Sequence, residues 1–108
     1  MSLQKLFVYG TLKHPKIQLK VLGRKPSQKP DTLEGYGIGE IDIHHKTYPI
    51  AKLDASSSIK GLVLDITDEE ILLLDDYETT AYKRIEVMLK SGAEAWVYCL
   101  PEVYGTRP

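Results

Sequence analysis

Ile71, Leu74 and Glu78 are spaced i, i+3 and i+7, so on an α-helix they share one side and bring a carboxylate among apolar neighbours. Desolvation of that kind raises a carboxyl pKa toward the range useful for proton transfer near neutral pH, which makes Glu78 a candidate general base. Two other arrangements fit the same spacing: a helix that frays after Asp76 and leaves Glu78 in solvent, or a structural ion pair with Lys83 or Arg84. Asp75 and Asp76 lie about 100° and 200° of helical rotation from Leu74, so at least one must face water or cap a loop, and both are weaker candidates. The second chemical feature is Tyr9-Gly10-Thr11-Leu12, where an apolar strand gives way to a glycine turn. Successive backbone N–H groups of such a turn can point into one concavity and hold an anionic oxygen, as an oxyanion hole does. A plain strand-ending turn is the alternative.

Other reactive side chains are poorly placed for chemistry. Cys99 is the only cysteine, so neither an intrachain disulfide nor a zinc site built on several thiolates can form. It stands in the apolar run 95–100, which predicts a buried, inert thiol. His14, His44 and His45 have no companions at metal-ligand spacing and read as surface or hairpin residues, so no metal and no organic cofactor is expected.

Composition narrows the classes further. A chain of 108 residues supports one hydrophobic core, and a single domain over 1–108 is expected, with 101–108 a loosely ordered tail that carries no core pattern. Hydrophobic residues at 43% and charged residues at 27% describe a folded globular chain. The 14 Lys and Arg balance 15 Asp and Glu, so no net field attracts nucleic acid or an anionic membrane. No apolar run approaches the roughly 20 residues of a membrane span, and the opening residues lack a signal-peptide core, so a cytoplasmic location is expected.

The elements that must position Glu78 and the glycine turn follow from pattern. Residues 5–9 form a short strand stopped by Gly10, and Pro15, Ile17, Val21, Leu22 and Gly23 mark a short helix over 15–22. The stretch 24–31 is polar and broken by Pro26 and Pro30, which predicts a surface loop. A strand over 33–43 carries glycines at 35, 37 and 39, so it bends or bulges, and a curved sheet or barrel is implied. Strands follow at 48–53 and 59–66, separated by Ala55-Ser56-Ser57-Ser58, and a hairpin at 84–89 and 94–100. Between them Thr67 and Glu70 form a capping box that starts a helix ending near Thr79 and Thr80.

In that order the segments resemble the γ-glutamylcyclotransferase-like family, in its avirulence-induced-gene-like, γ-glutamylamine cyclotransferase branch. Val8-Tyr9-Gly10-Thr11-Leu12 resembles the family's opening motif, whose loop cradles the γ-glutamyl group. Tyr48-Pro49 resembles an aromatic-proline strand start, Gly61-Leu62-Val63 the central strand, and Leu74-Asp75-Asp76-Tyr77-Glu78 the helix end bearing the catalytic glutamate. Tyr82-Lys83-Arg84 and Val97-Tyr98 match the final strands, so the resemblance runs over about residues 6–100. Where many members have glycine after the glutamate, this chain has Thr79. The resemblance implies an α+β fold, a small, mixed, strongly curved β-sheet or barrel with a few short helices.

It also implies an activity: release of 5-oxoproline from a small γ-glutamyl compound by attack of the α-amine on the γ-carbonyl. Glu78 would then be the acid/base, the residues Tyr9, Gly10, Thr11 and Leu12 would bind substrate oxygens, and Tyr82 or Tyr98 would orient the substrate through a phenolic hydroxyl. The expected partner is that small molecule alone, with the protein a monomer or weak homodimer. The competing readings are a non-catalytic binding module for a small acidic metabolite, favoured by Thr79, and a β-rich interaction domain in which Glu78 is structural.

Overall fold

Strand β1, Leu3–Val8, alternates its side chains between two cores, and this alternation explains the architecture. Phe7 and, just beyond it, Tyr9 point into one buried cluster with Leu33, Ala51, Ile59, Val63, Val97 and Cys99. Leu6 and Val8 point the other way, into a cluster with Leu12, Leu64, Ile66, Ile71, Leu74 and Tyr98 that lies under the helices. A sheet buried on both faces needs apolar residues at nearly every position, as the run Leu6-Phe7-Val8 provides. The computed structural model describes residues 3–43, 45–78 and 83–99, with the side chains of Thr11, Ile41, Ile43, Tyr48 and Glu78 outside that description. Tyr82, Thr79, His44 and the expected tail over 101–108 likewise lie outside the described residues.

After β1 a 3₁₀ turn, Thr11–Lys13, leads to α1, Pro15–Leu22, then β2, Gln28–Ile43, and β3, Lys46–Thr67. Helix α2, Asp68–Glu78, and the hairpin β4, Lys83–Met88, and β5, Glu94–Cys99, complete the order. The five strands form one mixed sheet, β2-β3-β1-β5-β4. β1 runs antiparallel to β3, from Leu3 opposite Thr67 to Val8 opposite Leu62, and parallel to β5. The sheet curls because β3 is 22 residues long and, on the edge away from β2, serves two neighbours: its second half pairs with β1, while Ala51 in its first half meets Cys99 of β5. At the far side the Lys90 N–H donates to the Thr32 carbonyl at 2.8 Å, which brings the β4–β5 turn against β2.

α1 matches the expected 15–22, with Pro15 in its first turn and Gly23 at φ 77° closing it. Two sequence expectations are corrected. The loop over 24–31 is shorter than expected, because β2 begins at Gln28 and includes Pro30 opposite Leu62. β2 is an edge strand, and an edge tolerates a residue without an N–H donor. The serine cluster does not separate two strands; it is a bulge within β3. Pairing steps from Glu34 opposite Ser58 to Tyr36 opposite Leu53, so residues 54–57 face Gly35 alone. Gly35 takes φ 86°, and the Asp54 carboxylate accepts hydrogen bonds from the Ser56 N–H and from the Ser56 and Ser57 hydroxyls.

α2 starts as its sequence dictates. The Glu70 N–H donates to Thr67 Oγ1 at 3.1 Å and the Thr67 N–H donates to Glu70 Oε1 at 2.9 Å, the reciprocal bonds of a capping box. Glu70 also accepts from Arg24 Nε and Nη2, each at 2.6 Å, tying the loop after α1 to the start of α2. Hydrogen bonding from Arg24 holds the Glu70 carboxyl below its ordinary 4.5 despite partial burial. A depressed carboxyl contributes stability that is complete above its unfolded pKa and is lost as pH falls through the lower folded value. The melting temperature is therefore expected to hold steady down to about pH 5 and to fall below it. Glu70→Gln should flatten the first part of that fall; a pH profile identical to the parent's would refute the assignment.

Candidate functional site

The turn after β1 is held from below by a buried phenol. Tyr9 is 9% exposed; its hydroxyl donates to the Tyr98 carbonyl and accepts the Ala51 N–H at 3.0 Å, so one side chain joins β1, β3 and β5 at one end of the sheet. Removing the hydroxyl takes away the acceptor of the buried Ala51 N–H and a buried donor to the Tyr98 carbonyl, and Tyr9→Phe is expected to cost about 2 kcal/mol in chemical denaturation, with a cost below about 0.5 counting against this role. Gly10 lies against Pro49: a Cβ there would sit 3.3 Å from Pro49 Cγ. Gly10 is not among the glycines with positive φ, so close approach rather than a special backbone conformation is what it provides.

The Lys13 N–H donates to the Gly10 carbonyl at 3.1 Å and closes the 3₁₀ turn. The N–H groups of Thr11 and Leu12 come before that bond and, like the first donors of any helical turn, have no acceptor within it. They are two of the four successive donors, Tyr9 to Leu12, on which the anion-binding expectation rests. The Leu12 side chain is buried in the cluster beneath the helices, which anchors the end of the loop.

The second part is the end of α2. Ile71 and Leu74 are buried, at 5% and 0% exposure, as the inward-face spacing requires; α2 is helical through Glu78, and the expected end near Thr79 and Thr80 lies outside the described residues. One turn before that end, Asp75 accepts from Arg84 Nε and Nη2, both at 2.9 Å, and from the Tyr98 hydroxyl at 2.7 Å. The Arg84 guanidinium also lies 4.3 Å above the Trp96 ring, whose indole N–H donates to Gln4. Burial works against charge on Asp75, yet the bonds from Arg84 and Tyr98 and the Arg84 charge outweigh it and hold the carboxyl below its ordinary 3.8. Asp75 is therefore a fixed anion that anchors the helix, not a proton carrier.

These contacts link the residue that opens the turn to helix α2. Tyr9 meets the Tyr98 backbone, the Tyr98 hydroxyl meets Asp75, and Asp75 stands three residues before Glu78, so the loop and the end of α2 sit at the same end of the sheet. The Glu78 and Thr11 side chains and all of Tyr82 fall outside the described residues. Tyr98 is 6% exposed, its ring within the helix-facing cluster. Cys99 is fully buried, and desolvation pushes its thiol up to about 11, a protonated and unreactive group at neutral pH. His14 caps the approach to α1 and His45 lies at the β2–β3 turn, both exposed.

Two contributors were not read from sequence. The Asp75–Arg84 pair links residues nine apart across a helix end and a strand, a contact that no periodicity reveals. Gln18, fully buried on α1, donates to the Leu12 carbonyl at 2.8 Å. Its signal was available: it precedes Val21 and Leu22 by three and four residues and so lies on their apolar face.

A family model described as Gamma-glutamyl cyclotransferase, AIG2-like, matches residues 6–107. The chain belongs to this family. It is 35% identical over 92 residues to AIG2-like protein C of Arabidopsis thaliana, covering 82% of this chain. The match takes in 52% of that relative, so the chain spans about half its length. A solution structure of another Arabidopsis thaliana protein superposes with a TM-score of 0.80 at 24% identity, covering 99% of this chain and 78% of that one. A solved γ-glutamyl cyclotransferase gives a TM-score of 0.74 at 16% identity, covering 92% and 67%. At such identities the likeness is one of fold, and the fold is that of the γ-glutamylcyclotransferases: a curled, mixed five-stranded sheet with two helices. No helix among the described residues is long and apolar enough to cross a membrane.

Proposed function

We propose that the protein is a γ-glutamyl cyclotransferase that releases 5-oxoproline from a small γ-glutamyl compound, with Glu78 as its acid/base. The observation that carries this reading is the Tyr9 to Tyr98 to Asp75 connection, which brings the Thr11 and Leu12 amides and the last turn of α2 to one end of the sheet. Family membership over residues 6–107 supports it.

In this reaction the substrate's α-amine attacks its own γ-carbonyl; the C–N bond of the five-membered ring forms and the bond to the leaving amine breaks. Nucleophile and electrophile belong to one molecule, so positioning is the larger task, worth about 7 to 11 kcal/mol against a bimolecular reaction. The α-ammonium gives up two protons on becoming the ring amide, and the leaving nitrogen needs two to depart as an ammonium. Glu78 accepts on one side and returns on the other, which balances the reaction without outside reagents. The Thr11 and Leu12 amides, with those of Tyr9 and Gly10, hold the oxygen that becomes negative when the carbonyl is attacked. Tyr82 and Tyr98 orient the substrate; a phenolic oxygen that donates its hydrogen bond to Asp75 keeps lone pairs with which to accept another.

The proposal takes 1–108 as one domain acting in the cytoplasm on a small molecule, as a monomer or weak homodimer. Its test is 5-oxoproline release, followed by mass spectrometry, from γ-glutamyl amino acids, γ-glutamylamines and glutathione. Release from one class supports the proposal and names the substrate. If the folded protein binds a member of the panel in calorimetry without releasing 5-oxoproline, it is a binding module and the enzymatic reading falls.

A further inference from the structure

The peptide unit between Leu12 and Lys13 is held at both ends. Its N–H donates to the Gly10 carbonyl at 3.1 Å and its carbonyl accepts from Gln18 Nε2 at 2.8 Å. The first bond is made within the turn; the second comes from a side chain on α1 that is fully buried. The plane of this peptide fixes the axis of the 3₁₀ turn, and with it the direction of the Thr11 and Leu12 N–H groups just ahead.

Gln18 is an unusual choice for a buried helix position. The same Nε2 also donates to Gln28 Oε1 at 3.0 Å, while Gln18 Oε1 is buried without a hydrogen-bond partner among the described residues. A buried orphan acceptor is unfavourable, and an apolar side chain beside Val21 and Leu22 would avoid it. What an apolar side chain lacks is the donor to Leu12. Gln28 is an exposed residue that water can serve, so the Leu12 carbonyl is the acceptor for which this donor matters.

We propose that Gln18 is a positioning residue for the anion-binding turn: it aims the Thr11 and Leu12 amides by holding the Leu12 carbonyl. The proposal rests on the cyclotransferase reading for its catalytic consequence but not for its structural one, and two measurements separate them. The variants are Gln18→Met, which keeps length and flexibility while removing the donor, and Gln18→Leu, which serves should the first not fold. Amide hydrogen exchange is followed by NMR, with the β1 amides of Leu6 and Val8 as internal references. Exchange at Lys13 is expected to speed up at least about tenfold while the β1 references hold. In the 5-oxoproline assay kcat is expected to fall about a hundredfold with KM changed far less, because misdirected donors fail at the developing charge rather than at the bound substrate. Unchanged protection at Lys13 overturns the proposal, and so does lost protection with an unaltered kcat. If the parent protein releases no 5-oxoproline at all, the cyclotransferase reading fails while the exchange result still decides the role of Gln18.

Discussion

Glu78→Gln is expected to lower kcat for 5-oxoproline release by about 10² to 10⁴-fold, the contribution of one well-placed acid/base group. The substitution keeps size and hydrogen-bonding capacity but removes the ability to take a proton from the α-ammonium and return it to the leaving nitrogen. The carboxylate one turn earlier on the inward side of α2 cannot stand in. Asp75, one turn earlier, is committed to Arg84 and Tyr98, and its carboxyl is held below 3.8. The Thr11 and Leu12 amides belong to the backbone of a different element, so substrate binding should survive and KM should change little. Mass-spectrometric assay of parent and variant, with a thermal melt to show that both fold, decides the matter. A variant that keeps a third or more of the parent rate would remove Glu78 from the mechanism.

Gly61→Ala is expected to have the largest effect on folding. A Cβ at residue 61 would lie 2.4 Å from the Val8 carbonyl oxygen and 2.8 Å from Phe7 Cζ. Neither can move aside cheaply: Val8 ends a ladder paired with β3 in continuous register from Leu3, and Phe7 is 1% exposed in the interior cluster. Relief requires β1 and β3 to part at the point where the Tyr9-Gly10 turn begins, so the loss should reach about 3 kcal/mol or more. Gly39→Ala is the control. There the Cβ would meet the far end of the Lys52 side chain, Cδ and Cε at 2.8 Å and Nζ at 3.2 Å, which can swing into solvent, and a strand glycine gains by acquiring a Cβ. Denaturant melts of the two variants should therefore differ in sign. An equally small effect in both would show that β1 and β3 can separate at Gly61 without penalty.

The glycine at 61 shows where sequence reading stops. Its resemblance to a central-strand motif marks the position, but the overlap with Val8 exists only once β3 lies across β1. The same holds for the Asp75–Arg84 pair, which bridges a helix end and a strand. Gln18 was legible as a polar residue on an apolar helix face, but its partner, the Leu12 carbonyl, was not.

What the sequence determined alone was what local rules control. The Thr67–Glu70 capping box started α2, the Pro15 and Gly23 signals bounded α1, and the spacing of Ile71 and Leu74 faced α2 inward, because each depends on residues within two turns of one another. The ordered series of motifs led to the family, and with it to the curled, mixed sheet. Tertiary structure decided the rest. β3 became one continuous strand, since pairing with β2, β1 and β5 bridges the serine cluster that local propensity reads as a break. Pro30 entered a strand because β2 is an edge, a fact about neighbours rather than about proline. The link from Tyr9 through Tyr98 to Asp75 on α2 is made by two hydroxyl contacts that span 89 and 23 residues of chain, distances over which no periodicity carries information.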